Sequence, residues 1–192
     1  MPLADPLLVG VHRRWIEHEL AQRAVGVAER RSGTVGLPGA VEVTLLFCDL
    51  KDFTAYAEVR GDEAAIIAID RFFEVVAREQ GEHGWFVKSL GDGAMLVYGD
   101  PVDAVAAGAR VIAAMRSTSL PRLHASVHRG IAIARSGDFF GGCVNVAARL
   151  LAFAGPGELL ATEEVVSECV GAFEWEPAGE RMLRGLTAPV TV

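Results

Sequence analysis

The sequence predicts an α+β domain. Apolar runs rich in β-branched residues alternate with segments of helical spacing, and Gly and Pro punctuate the joints between them. The elements come in the order β-α-α-β-β-α-β, with further short elements behind. A helix pair inserted between strands, on one face of an antiparallel sheet, is the arrangement of a ferredoxin-like core.

The elements follow in chain order. Residues 1–31 include "HRRWIEHELAQRAVGVAERR", of helix-forming composition, with Val11, Trp15, Leu20, Val25 and Ala28 in an uneven apolar stripe. "SGTVGLPGA" then reads as a linker, so the chain divides into an N-terminal helical segment and linker, 1–40, and a domain, 41–192. "VEVTLLFCD" is a buried strand ending in a carboxylate. "DEAAIIAIDRFFEVVAREQGEHG" is a helix facing the core through Ile66, Ile69, Phe73 and Val76 and ended by Gly81 and Gly84. "WFVKS" and "AMLVYG" flank "LGDG" as a hairpin. In "DPVDAVAAGARVIAAMR", Asp100 is the N-cap, Pro101 opens the helix, and Val102, Val105, Ala109 and Ile112 share a face. "RLHASVHRGIAIAR" is a strand region with a tight turn near Gly130, and "GGCVNVAARLLAFAGPG" is a helix closed by Gly155 and Pro156. "GELLAT", a short helix "EEVVSECVG" capped by Thr162, and the segments "FEWEPAG", "RMLRG" and "APVTV" complete the chain.

Composition narrows the function. At 192 residues, 51% hydrophobic and 22% charged, the chain is long enough to bury one sizeable core. A net charge of −7 argues against a nucleic-acid surface but leaves room for a nucleotide substrate neutralised by a few cations and metal ions. Cys48, Cys143 and Cys169 are far apart and in no metal-ligand spacing, as expected of reduced thiols. No run approaches the roughly 18 apolar residues of a membrane span. "PLADPLLVGVHRRW" has its basic residues on the wrong side of the apolar run for a secretory signal, so a cytoplasmic location is expected. Of 18 basic residues only two, Lys51 and Lys88, are lysine.

Two constellations carry chemistry. Asp49 closes the first strand and Asp92 sits at the hairpin tip; in a ferredoxin-like sheet these elements are neighbours, so both carboxylates can reach one point. Two carboxylates with open positions beside a phosphate suit hard Mg²⁺ or Mn²⁺ ions, and paired ions suit an in-line displacement. The backbone amides of "LKDFT", with Thr54 as N-cap of the next helix, form a cradle for a triphosphate. In "DFFGGCVNVAAR", Asn145 and Arg149 are spaced i, i+4 on one helix face, and Asp138 lies before that helix, where it can accept from an amino group.

"LLFCDLKDFT", "FVKSLGDGAML" and "GDFFGGCVNVAARL", in that order and with their internal spacing, resemble the motifs of the class III nucleotidyl cyclase catalytic domain, the family of adenylyl and guanylyl cyclases. The resemblance runs over roughly residues 40–192. It implies a ferredoxin-like domain acting as a head-to-tail homodimer with active sites at the interface, and ATP as substrate. It also implies a metal set of Asp49, Leu50 and Asp92 for two Mg²⁺ or Mn²⁺ ions, and a purine-reading pair, Lys88 and Asp138. Phe53, Thr54 and Arg184 fall to the triphosphate, Asn145 to the ribose and Arg149 to the transition state. Lys–Asp is the adenine-selecting combination, because a lysine donates to N1 and an aspartate accepts from the N6 amino group, whereas guanine reverses that polarity.

The resemblance also sets the alternatives. A guanylyl cyclase is disfavoured by Lys88 and Asp138, and a non-catalytic regulatory homologue by the presence of every motif residue. A diguanylate cyclase would carry a Gly-Gly-Asp/Glu-Glu-Phe hairpin, which is missing. Asp52 stands where the family usually has glycine, either as a harmless helix N-terminal acid or as a negative charge crowding the triphosphate. With no second catalytic domain in the sequence, activity is expected from a homodimer with two equivalent sites.

Overall fold

The computed structural model describes residues 39–116 and 118–192; the N-terminal helical segment and most of the linker expected over residues 1–40 lie outside them. The elements are β1 (Ala40–Leu50), α1 (Phe53–Arg60), α2 (Asp62–Glu79), β2 (Trp85–Leu90), β3 (Gly93–Tyr98), α3 (Pro101–Arg116) and β4 (Leu123–Arg135). They continue as β5 (Asp138–Phe140), α4 (Gly142–Leu151), β6 (Leu159–Ala161), α5 (Glu163–Glu168), β7 (Glu180–Arg181) and β8 (Val190–Thr191). The main sheet has the order β2-β3-β1-β4-β5, antiparallel throughout, with β6 running parallel beside β4. Its first four strands, β2-β3-β1-β4, have the ferredoxin-like order expected.

The two-residue period of β1 distributes its side chains between two cores. Leu46, Cys48 and Leu50 pack with Phe72, Val75 and Val76 of α2, Val111 and Met115 of α3 and Val165 of α5. Val41, Val43, Leu45 and Phe47 point the other way, against Cys143 and Ala147 of α4 and Phe139 of β5. Asp49 has the parity of Phe47, so it belongs to the α4 face, at the end of the strand where apolar packing stops. No helix among the described residues is long and apolar enough to cross a membrane.

Four local expectations need correction. The buried face of α2 is Ala65, Ala68, Phe72, Val75 and Val76, whereas Ile66 is 61% exposed and Ile69 and Phe73 are only half-buried. On α3, Val105 and Ile112 are buried, but Val102 is half-buried and Ala109 exposed; Asp100 does cap the helix, its Oδ1 accepting from Val102 N at 2.8 Å. There is no turn at Gly130: β4 is continuous, Gly130 pairs with Val43, and a Cβ there would stand 3.3 Å from Cys143 Sγ. The glycine admits α4 against the sheet. Finally, α4 ends at Leu151, with Ala152 as C-cap, one turn before Gly155.

Candidate active site

The register places the first group. Asp49 pairs with Gly93 of β3 on one side and with His124 of β4 on the other. A Cβ on Gly93 would stand 2.9 Å from Asp49 Oδ1, so only glycine leaves the carboxylate its place. Asp92 is in the two-residue turn between β2 and β3, its carbonyl accepting from Leu50 N at 3.4 Å. Asp49 Oδ1 is buried without a hydrogen-bond partner, and the Asp92 carboxyl is pushed above its ordinary value, first by burial and then by the Asp49 charge. Sequence reasoning missed His124, a buried residue whose Nδ1 is 3.0 Å from the Ala154 carbonyl and whose Nε2 is 3.7 Å from Asp49 Oδ2. Its one sequence signal is a polar side chain inside the apolar run "LHASV".

The connection from β1 to α1 is short and fixed. Leu50 is buried, Lys51 N donates to the Arg122 carbonyl at 2.8 Å, and Lys51 Nζ reaches the Ala154 carbonyl at 3.3 Å. The N-cap of α1 is Asp52 and not Thr54, which is the second helical residue and exposed; Phe53 is half-buried. The first backbone bond into the helix is Tyr56 N to Asp52 O, so the amides of Phe53 and Thr54 precede it and have no intrahelical acceptor.

Asp52 adopts φ 57°, ψ 30° and its side chain makes no capping bond. This left-handed conformation explains the family's glycine there, and it makes the acid something other than a favourable helix cap. Asp52→Gly is expected to stabilise the fold by about 0.5–1 kcal/mol, the strain relieved outweighing glycine's entropy. Thermal denaturation would read this as a Tm higher by about 1–4 °C.

The second group joins the two edges of the sheet. Lys88 on β2 and Asp138 on β5 stand at opposite ends of the strand order, yet Lys88 Nζ lies 2.6 Å from Asp138 Oδ2. A bulge in β2 between Phe86 and Lys88 re-aims the lysine, and the Phe140 ring lies under its ammonium at 5.9 Å. Asp138 Oδ1 accepts from Phe139 N at 2.8 Å, which fixes the carboxylate.

The third group is on α4. Asn145 is exposed and Arg149 half-buried, one turn apart. The Arg149 guanidinium rests against Gly185, where a Cβ would be 3.1 Å from Nη1, and this brings the exposed neighbour Arg184 to the same end of the molecule.

No family model matches the sequence. Among curated proteins, the chain is 34% identical over 197 residues to a pH-sensitive adenylate cyclase of Mycobacterium tuberculosis, the match covering 99% of this chain and 49% of that protein. Among solved structures it is similar to the adenylyl cyclase CyaB from P. aeruginosa, with TM-score 0.71 and 20% identity over 79% of this chain and 92% of that one. The guanylyl cyclase Cya2 gives TM-score 0.70 and 19% identity over 81% and 92%. Sequence and fold are thus similar to those of adenylyl and guanylyl cyclase catalytic domains, in line with the class III motifs. The chain spans about half the length of the curated relatives it matches. The fold is shared by cyclases of both purines, so the choice of nucleotide rests on side chains.

The carboxylate pair of this domain fits a divalent cation. A buried oxygen without a partner and a neighbouring carboxyl resisting ionisation are both relieved by a cation between them. Among the described residues no group of three or more His, Cys, Asp or Glu side chains is placed to hold a metal ion as the side chains stand. Because the folded-state pKa of Asp92 is raised, its carboxylate costs stability above that pKa, and the cost vanishes as pH falls. Metal-free Asp92→Asn is therefore expected to melt above wild type at about pH 7 and to converge with it near pH 3.

Proposed function

We propose that the domain is an adenylyl cyclase, converting ATP to 3′,5′-cyclic AMP and pyrophosphate as a head-to-tail homodimer working in the cytoplasm. The observation that carries the reading is the Lys88–Asp138 pair at 2.6 Å, an ammonium beside an acceptor, which matches adenine N1 and N6 and mismatches guanine. Buried groups left unpaired by the wrong base give discrimination on the order of 10⁴-fold in sites built for hydrogen bonds.

Asp49, Asp92 and the Leu50 carbonyl would hold two Mg²⁺ or Mn²⁺ ions. When bound, such ions acidify the ribose 3′-OH and neutralise the leaving pyrophosphate. The amides of Phe53 and Thr54 would donate to the triphosphate, with Arg184 beside it. Lys88 would donate to N1 while Asp138 accepts from the N6 amino group, each keeping its bond to the other. Asn145 would orient the ribose so that its 3′-oxygen lies in line with the α-phosphorus. Arg149 would meet the charge that builds on the α-phosphate oxygens. In the dimer, Asp49 and Asp92 come from one subunit and Lys88, Asp138, Asn145 and Arg149 from its partner. Leu90, Phe140 and Phe153 are each close to half-exposed, beside the hairpin tip, the purine pair and the end of α4, and a second copy would cover them.

Purified protein given Mn²⁺ and ATP is expected to release cyclic AMP and pyrophosphate in equal amounts, with far less product from GTP. Turnover of GTP equal to or above that of ATP overturns the purine assignment, and absence of any cyclic nucleotide overturns the activity.

A further inference from the structure

The imidazole of His124 has no part in the scheme above, yet it is buried beside the carboxylates. Its register partner is Asp49, and its charge would also be felt by Asp92. The ring is 4% exposed and its two nitrogens have different surroundings. Nδ1 is 3.0 Å from the Ala154 carbonyl, which can only accept, so Nδ1 carries the proton and donates. The ring's other nitrogen, Nε2, faces Asp49 Oδ2 at 3.7 Å, too far for a hydrogen bond. The other oxygen of that carboxylate, Oδ1, is buried without a partner, an unfavourable arrangement for an empty protein site. It is a favourable one for a cation.

We propose that Nε2 of His124 is a further protein ligand of the metal site, joining Asp49 and Asp92. The proposal rests on the metal reading of those two carboxylates. Three features carry it. An imidazole whose other nitrogen donates to a backbone carbonyl is the usual orientation of a metal-bound histidine. Ligands about 2.1 Å from one ion stand about 3.0–4.2 Å apart, and the Nε2–Oδ2 separation of 3.7 Å falls within that range. Asp92 lies in the two-residue turn next to Gly93, the register partner of Asp49, so its carboxyl stands at the same end of the sheet. Nitrogen is a poor ligand for Mg²⁺ and a good one for first-row transition ions, so the site is built for Mn²⁺ in preference to Mg²⁺.

The test uses the full chain without nucleotide, with Mn²⁺ as the probe and electron paramagnetic resonance as the readout. Wild type is expected to bind Mn²⁺ and to show nitrogen modulation in the spin-echo envelope, altered by ¹⁵N-histidine labelling. His124→Asn keeps an amide N–H for the Ala154 carbonyl and lacks the distal nitrogen. It is expected to lose the modulation and to bind Mn²⁺ about 10–100-fold more weakly. Bound Mn²⁺ that Asp49→Asn releases, but with no nitrogen modulation, or with modulation that survives His124→Asn, overturns the histidine ligand and leaves the carboxylates standing. Failure of wild type to bind Mn²⁺, or binding unaffected by Asp49→Asn, overturns both. If His124→Asn does not fold, the labelled wild-type spectrum decides: modulation altered by the label supports the ligand, and its absence overturns it.

Discussion

Mixing Asp49→Ala chains with Arg149→Ala chains will restore turnover that neither preparation has alone. The expectation follows from placing the two residues in different halves of a shared site. Each homodimer of Asp49→Ala lacks its metal carboxylate in both sites. Each homodimer of Arg149→Ala lacks the guanidinium that meets transition-state charge, a loss worth about 10²–10³ in kcat for one such donor. In the mixed dimer one site draws Asp49 from the arginine variant and Arg149 from the aspartate variant, and is intact; the other lacks both. Random pairing of equal amounts makes half the dimers mixed, with one good site of two, so activity returns to about a quarter of wild type. The substitutions are tolerable to the fold. Asp49 Oδ1 is buried without a partner, and Arg149 is half-buried against a glycine. A mixture that exchanges subunits and stays as inactive as its parts would place a complete site within one chain.

Much of this arrangement is legible in the amino-acid order, for reasons that can be separated. β1 reads as a strand because its β-branched run is unbroken and ends in a carboxylate, and the hairpin because Gly91 and Gly93 bracket the tip. The face of α2 is less legible. Its packing uses Ala65 and Ala68 while Ile66 and Ile67 face outward, and hydropathy alone favours the isoleucines. Gly130 carries a signal with two physical meanings, a turn or a close approach, and only the position of Cys143 decides between them. Asp49 and Asp92 emerge from spacing because both sit at strand ends. His124 does not: its significance depends on its register with β1, far back in the chain, and no local pattern encodes that. Lys88 and Asp138 come from opposite edges of the sheet, so the resemblance to a family joined them before any contact could.

That edge-to-edge contact makes the outcome of reversing the purine preference unequal for single and double variants. Lys88→Ala leaves the partly buried Asp138 carboxylate without its cation and removes the N1 donor. Its kcat/KM for ATP is expected to fall about 10²–10³-fold, the scale of a charged hydrogen bond lost in a site built for it. Lys88→Glu alone does worse, because it replaces an ammonium that stands 2.6 Å from the Asp138 carboxylate with a second carboxylate facing it. Neither base is then well served, and the edges of the sheet repel. Adding Asp138→Ser removes the repulsion and makes room for guanine O6, while the introduced glutamate accepts from guanine N1–H and the 2-amino group. The double variant is therefore expected to exceed Lys88→Glu on GTP and to prefer GTP over ATP, so the two substitutions, each harmful alone to ATP turnover, are strongly non-additive. Steady-state kcat/KM for each nucleotide, taken around the full cycle of four proteins, measures this coupling. Additive losses with the ATP preference intact would mean that the pair braces the sheet edges and reads no base.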